Sequence, residues 1–154
     1  MFPGGYSGLA GTVSDHAACD VMFMDAGAIR SKELGPAVTL GYISACFPFG
    51  DTLGRYTITG SQLIPIFAHI LRPENRDGEG ECYDVSAAVL TVYNDRTKTL
   101  DSLTINGESV VENSHYSIGL IGYHVDNSVK TSISLKRNSP GLRVRSLLQH
   151  LLPV

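Results

Sequence analysis

The sequence predicts an α+β domain, a mixed sheet with a few packed helices. Three observations lead there. Thr52 to Thr59 alternates with the two-residue period of a strand. Leu63, Ile66, Phe67 and Ile70 recur at helical spacing directly after it. The other strand and helix signals follow without the regular alternation that would build a parallel βαβ sheet.

Taken in order, residues 7–18 are rich in small side chains and suit a short helix that feeds an apolar strand at Val21 to Met24. Val38 to Cys46 is apolar but short, which fits a brief helix or turn. In the strand from Thr52 to Thr59, Tyr56 and Ile58 share one face and Arg55 and Thr57 the other. Gly60-Ser61 offers a helix start, with Pro65 expected in the tolerant first turn. Arg72 to Gly80 is charged, contains Pro73, Gly78 and Gly80, and reads as an exposed loop. Val85 to Tyr93 is apolar on both faces, as expected of a buried central strand. Asn94-Asp95 turns the chain, Leu100 to Ile105 returns it, and Asn106-Gly107 is the strongest hairpin signal present. Tyr116 to Tyr123 is a further strand. Ser139-Pro140 then caps an amphipathic terminal helix carrying Val144, Leu147, Leu148, Leu151 and Leu152.

The chain of 154 residues suits one domain with its own core, spanning 1–154, and leaves no room for a second catalytic domain of ordinary size. A hydrophobic content of 43% and a charged content of 18% fit a globular chain, neither disordered nor membrane-spanning. The net charge of -3 offers no general attraction to nucleic acid. Lys136, Arg137, Arg143 and Arg145 form a local basic patch, read as a solvated face of the terminal helix and the loop before it. Cys19, Cys46 and Cys82 are odd in number and lack Cys-x-x-Cys spacing, so structural cysteines are expected and no disulfide framework is implied.

Two stretches carry the functional signal. Val21-Met22-Phe23-Met24 delivers the chain to Asp25-Ala26-Gly27-Ala28-Ile29-Arg30, a loop of small residues ending in one guanidinium. Small side chains let backbone amides approach a ligand, and arginine suits an anion or a sugar. Phe47-Pro48-Phe49-Gly50-Asp51 follows and presents an aromatic ring on a proline-set turn. A ring and a guanidinium together suit a nucleotide.

With Ile58-Thr59-Gly60-Ser61-Gln62-Leu63, these stretches resemble the C-terminal domain of the 5'-nucleotidase family of metallophosphatases. Its pattern runs Asn-Gly-Gly-Gly-Ile-Arg, then Pro-Phe-Gly, then Leu-x-Gly-x-x-Leu leading into a helix. The order and spacing match across roughly residues 14 to 123. The resemblance implies a domain that recognises a nucleoside or nucleotide. The phosphoester would be hydrolysed by divalent metals on a preceding metallophosphatase domain of the same polypeptide, absent here, with rotation between the domains opening and closing the site. It also implies a secreted, periplasmic or cell-surface setting.

The resemblance assigns roles residue by residue. The base is expected between Phe49 and Tyr123, Arg30 reaches the ribose or phosphate, and Asp25 accepts a ribose hydroxyl or a base amino group. Asp126 is the candidate for holding the ribose hydroxyls. Three departures accompany these assignments: Asp25 replaces asparagine, Ala26 and Ala28 replace glycines, and His124-Val125-Asp126-Asn127-Ser128 stands where relatives carry Gly-Gly-Asp-Gly. No lysine or arginine precedes Arg30 to supply further cationic contacts.

Catalytic motifs are missing from the chain. The Asp-x-His and Gly-Asn-His strings of the metal domain do not occur, and His16, His69, His115, His124 and His150 are scattered. A P-loop, a Gly-x-Ser-x-Gly elbow and a Gly-x-Gly-x-x-Gly fingerprint are also absent. No catalytic residue, metal ligand, cofactor, nucleic acid or membrane contact is therefore expected for this chain. The alternative reading is a degenerate structural or protein-interaction module on the same fold.

Overall fold

A computed structural model of the chain describes residues 18–31, 39–77, 82–86, 88–121, 136–137 and 142–143. The apolar run before the candidate loop forms β1 (Val21–Asp25), whose first four residues are buried on both faces. That explains why its sequence does not alternate. β1 lies parallel to β7 (His115–Ile121), with Val21 opposite Ile118 and Phe23 opposite Leu120. β2 (Thr52–Thr59) runs antiparallel along the other side of β7, and β3 (Tyr83–Val85) runs antiparallel along the outer side of β1. Two short strands, β8 (Lys136–Arg137) and β9 (Leu142–Arg143), pair with β2, so the mixed sheet has the order β3-β1-β7-β2-β8 with β9 also on β2.

Each face of this sheet has its own core. Met22, Met24, Leu53 and Ile121 on one face pack with Ile43 and Cys46 of α1 (Leu40–Cys46) and with Phe47 just beyond it. On the other face Val21, Phe23, Tyr56, Ile58 and Ile118 pack with Leu63 and Phe67 of α2 (Gly60–Ile70). A second, three-stranded antiparallel sheet adds Val89, Leu103 and Ile105 to the same core. It comprises β4 (Val89–Asn94), β5 (Thr99–Ile105) and β6 (Glu108–Ser109). Asn106 and Gly107, at φ 53° and 82°, make its hairpin turn, the left-handed pair that an Asn-Gly dipeptide adopts readily.

The start of α2 explains the glycine of the third motif. The Gly60 amide donates to the Ser114 carbonyl and the Ser61 amide to the Glu112 carbonyl, both at 2.9 Å, so the chain before β7 satisfies two helix-end donors. That chain lies so close that a Cβ on Gly60 would come within 2.1 Å of the Val111 carbonyl oxygen. Gln62 reaches back to accept the Thr59 amide at 2.9 Å, holding the turn from β2 into α2.

The expected strand at Thr52 to Thr59, the brief helix after Val38, and the hairpin are present. Four readings change. Pro65 lies in the second turn of α2, since Gly60 is the first helical residue; it removes the amide that would return to Ser61. The stretch from Arg72 contains a short helix, α3 (Pro73–Arg76), with proline at its first position. Arg76 pairs with Asp77 at 2.9 Å and with Asp95 at 3.1 Å, tying α3 to the turn between β4 and β5.

Val85 to Tyr93 is not one central strand. It divides into the end of β3, at the border of the main sheet, and β4, in the second sheet. The break is at Ser86, whose amide donates to the Met22 carbonyl at 3.2 Å while its buried hydroxyl accepts the Met22 amide at 3.3 Å. Pairing with β1 ends there, and the chain crosses to the second sheet, leaving Leu90 and Val92 exposed. Finally, Leu142–Arg143 is strand, where the terminal helix was expected to begin, and Lys136–Arg137 is strand instead of loop. The remainder of that helix lies outside the described residues, as does the helix expected over 7–18 except for Ala18, which is in a turn at φ 48°. Among the described residues no helix is long and apolar enough to cross a membrane.

Candidate functional site

The candidate loop leaves the end of β1 as a single 3-10 turn over Ala26–Ala28. Asp25 caps it, its Oδ1 accepting the Gly27 amide at 2.8 Å. The Ala26 amide donates to the Cys82 carbonyl at 3.0 Å, the Ile29 amide to the Ala26 carbonyl at 3.1 Å, and the Arg30 amide to the Cys46 carbonyl at 2.9 Å. Four amides of the loop are thus used inside the protein, and the expectation that they approach a ligand gives way to one in which side chains do the contacting. Neither Ala26, Gly27 nor Ala28 has positive φ, so the two alanines fit this turn without strain.

Those bonds also place the loop. Cys82 leads into β3 and Cys46 ends α1, so the segment from Asp25 to Arg30 is fastened to the sheet border on one side and to the helix on the other. Thr39 starts α1 by accepting the Tyr42 amide on its hydroxyl at 3.3 Å. Beyond Cys46 the two phenylalanines separate. Phe47 is buried in the core beside Met22 and Met24, while Phe49, two residues on, is 57% exposed. Pro48 sits between them and Gly50, at φ 62°, takes a left-handed conformation that suits glycine. Sequence reasoning singles out Phe49 but not the anchoring task of Phe47; a ring on each side of a proline is the signal that separates them.

Arg30 and Phe49 meet. The guanidinium carbon lies 5.0 Å from the centroid of the Phe49 ring, on its face. Asp25 stands at the opposite end of the loop, engaged with Gly27, and among the described residues no ion pair joins it to Arg30. Tyr123 and Asp126 lie outside the described residues. Next to β1, Asp84 on β3 pairs in register with Met24. Burial pushes its carboxyl up to about 6 against the partial offset of a hydrogen bond from the Val85 backbone, and among the described residues no partner reaches its buried Oδ2. No three His, Cys, Asp or Glu side chains among the described residues gather into a metal-binding group. Around the loop the described residues offer an exposed ring, a cation beside it and a capped turn, groups suited to binding and orienting a ligand.

Residues 9–130 match the family model described as 5'-nucleotidase, C-terminal domain. The chain belongs to that family. Its fold is that of several solved structures. A 5'-nucleotidase precursor from Thermus thermophilus superposes with a TM-score of 0.68 at 16% identity, covering 93% of this chain and 32% of that one. The NAD nucleotidase of Haemophilus influenzae gives a TM-score of 0.67 at 20% identity, covering 90% of this chain and 27% of that one. The sulfate thiohydrolase of Thermus thermophilus gives 0.67 at 15% identity, with 94% and 27% covered. No curated protein matches the sequence. This 5'-nucleotidase C-terminal domain thus spans about a third or less of the length of these structures. The three motifs fall inside the matched residues, as does Tyr123.

Proposed function

We propose that this 5'-nucleotidase C-terminal domain is the nucleoside- or nucleotide-recognition part of a larger hydrolase acting on nucleotide phosphoesters. The base stacks on Phe49, with Tyr123 as the second ring, and the sugar side is read by Arg30, Asp25 and Asp126. Hydrolysis belongs to divalent metals on a preceding metallophosphatase domain. The observation that supports this most is the pairing of a largely exposed Phe49 with Arg30, on motif positions that face solvent while neighbouring Phe47 is buried.

Base stacking on an aromatic ring is worth roughly 1–3 kcal/mol and tolerates different bases. Phe49→Ala is therefore expected to weaken adenosine and AMP binding about tenfold or more by isothermal titration. Unchanged affinity for both defeats the reading.

A second reading, a structural or protein-interaction module, is favoured by a different observation. Asp25 already spends an oxygen on Gly27, and His124-Val125-Asp126 departs from the Gly-Gly-Asp-Gly of relatives. The likeness to a sulfate thiohydrolase adds that this fold is not tied to nucleotides. Thermal shift across nucleosides, nucleotides and nucleotide sugars separates the two, because a ligand that binds only the folded state must raise its melting temperature.

A further inference from the structure

We infer that Arg30 serves as the back wall of the stacking platform: its guanidinium occupies one face of Phe49 and leaves the opposite face to the base, so that arginine, ring and base form a three-layer stack. This rests on the proposed nucleoside recognition and assigns Arg30 a positioning task beyond any contact with sugar or phosphate.

Three observations lead to it. The guanidinium lies at 5.0 Å from the ring centroid, within the range of an attractive cation–π contact, yet Phe49 remains 57% exposed. One face thus carries the guanidinium, while more than half of the residue's surface stays open to solvent. The two residues are also tied together through the backbone, because the Arg30 amide donates to the carbonyl of Cys46, three positions before Phe49. The loop and the ring-bearing turn are thereby held in register. Finally, Phe47 anchors that turn in the core and Gly50 bends the chain directly after the ring.

The physical consequence is preorganisation. An exposed phenylalanine at the tip of a turn would sample several rotamers and lose that freedom when a base docks. A guanidinium on one face restricts the ring before the ligand arrives. It also draws on the negative face of the ring, making the far face less repulsive to the electron-rich surface of a purine. Neither effect requires the arginine to touch the ligand.

Calorimetric titration of adenosine, which has no phosphate, into the wild type, Arg30→Gln, Phe49→Leu and the double variant tests this as a cycle. Arg30→Gln is expected to weaken adenosine about two- to fivefold, the scale of an exposed cation–π contact. In the Phe49→Leu background the same change is expected to cost clearly less, the remainder being the contact of Arg30 with the sugar. Arg30→Lys, which keeps the charge, recovers part of the loss. In the free protein, NMR of the Arg30 δ-methylene protons is expected to show an upfield ring-current shift that Phe49→Leu abolishes. An unchanged adenosine affinity in Arg30→Gln overturns the inference, as does an equal loss in the Phe49→Leu background, which would mean that Arg30 acts through the sugar alone. Absence of the ring-current shift overturns it without any ligand. A wild-type protein that binds neither adenosine nor AMP sinks the proposed function together with this inference. Binding with an Arg30 effect independent of residue 49 sinks this inference alone.

Discussion

Asp84 carries an electrostatic cost that a single substitution exposes. Met24 stands opposite it and Met22 further along the same face, and burial raises its carboxyl from the ordinary 3.8 to about 6. Between about pH 4 and pH 6 the folded chain holds a proton that the unfolded chain has already released. Folding is thus favoured at the acidic end of that window, and the contribution is lost as pH rises through 6. Asp84→Asn, which keeps the shape and removes the charge, is expected to raise the melting temperature at pH 7 and to leave it unchanged near pH 3.5. Melting curves at the two pH values check this, and an equal shift at both would assign the effect to packing instead of ionisation. Phe49 makes the opposite case at the same scale. It is exposed, so Phe49→Ala is expected to leave the urea midpoint within the small range of ordinary surface changes while binding falls.

At the scale of elements, the join of β2 to α2 depends on a glycine that no turn requires. Gly60 is helical, and what demands the missing side chain is the backbone at Val111, which a Cβ would strike at 2.1 Å. Gly60→Ala would favour the helix by propensity but must push that backbone away, along with the carbonyls that accept the Gly60 and Ser61 amides. Overpacking of this kind costs about 1–3 kcal/mol, occasionally more, against a propensity gain of about 1 kcal/mol. Net destabilisation is expected in urea unfolding; a variant at or above wild-type stability would show that the 111–112 chain yields freely. β2 itself was legible in the sequence because its two faces meet different surroundings, Tyr56 and Ile58 in one core, Arg55 and Thr57 less buried. The split between β3 and β4 was not. The stretch from Val85 to Val89 contains neither glycine nor proline, and the break is made by long-range hydrogen bonds between Ser86 and Met22 that no local pattern announces. Likewise the small-residue loop announced an accessible backbone, yet two of its amides are taken by the carbonyls of Cys82 and Cys46, distant in the chain.

For the whole molecule, the fold separates what holds it together from what it shows to solvent. The main sheet has a core on each face, and Phe67 of α2 sits in the larger one, fully buried and tilted against Phe23 with ring centroids 5.2 Å apart. That core also receives Val89, Leu103 and Ile105, so the helix, the main sheet and the second sheet all meet there. The α+β class was readable from mixed periodicities, whereas the division of strands between two sheets depends on these long-range contacts. Removing the Phe67 side chain leaves a cavity bordered by elements from three parts of the chain, which cannot all close on it at once. Phe67→Ala is expected to cost about 3–5 kcal/mol, a large share of the roughly 5–15 kcal/mol that stabilises a typical domain. The expected result is a strongly lowered urea midpoint, or a chain largely unfolded at 37 °C. Any ligand that binds only the folded state shifts that midpoint upward as its concentration rises above the dissociation constant. Adding AMP to Phe67→Ala should therefore recover part of the loss, whereas adding it to Phe67→Ala combined with Phe49→Ala should recover much less. Equal recovery in both would place the binding surface away from Phe49, although the core argument for Phe67 would stand.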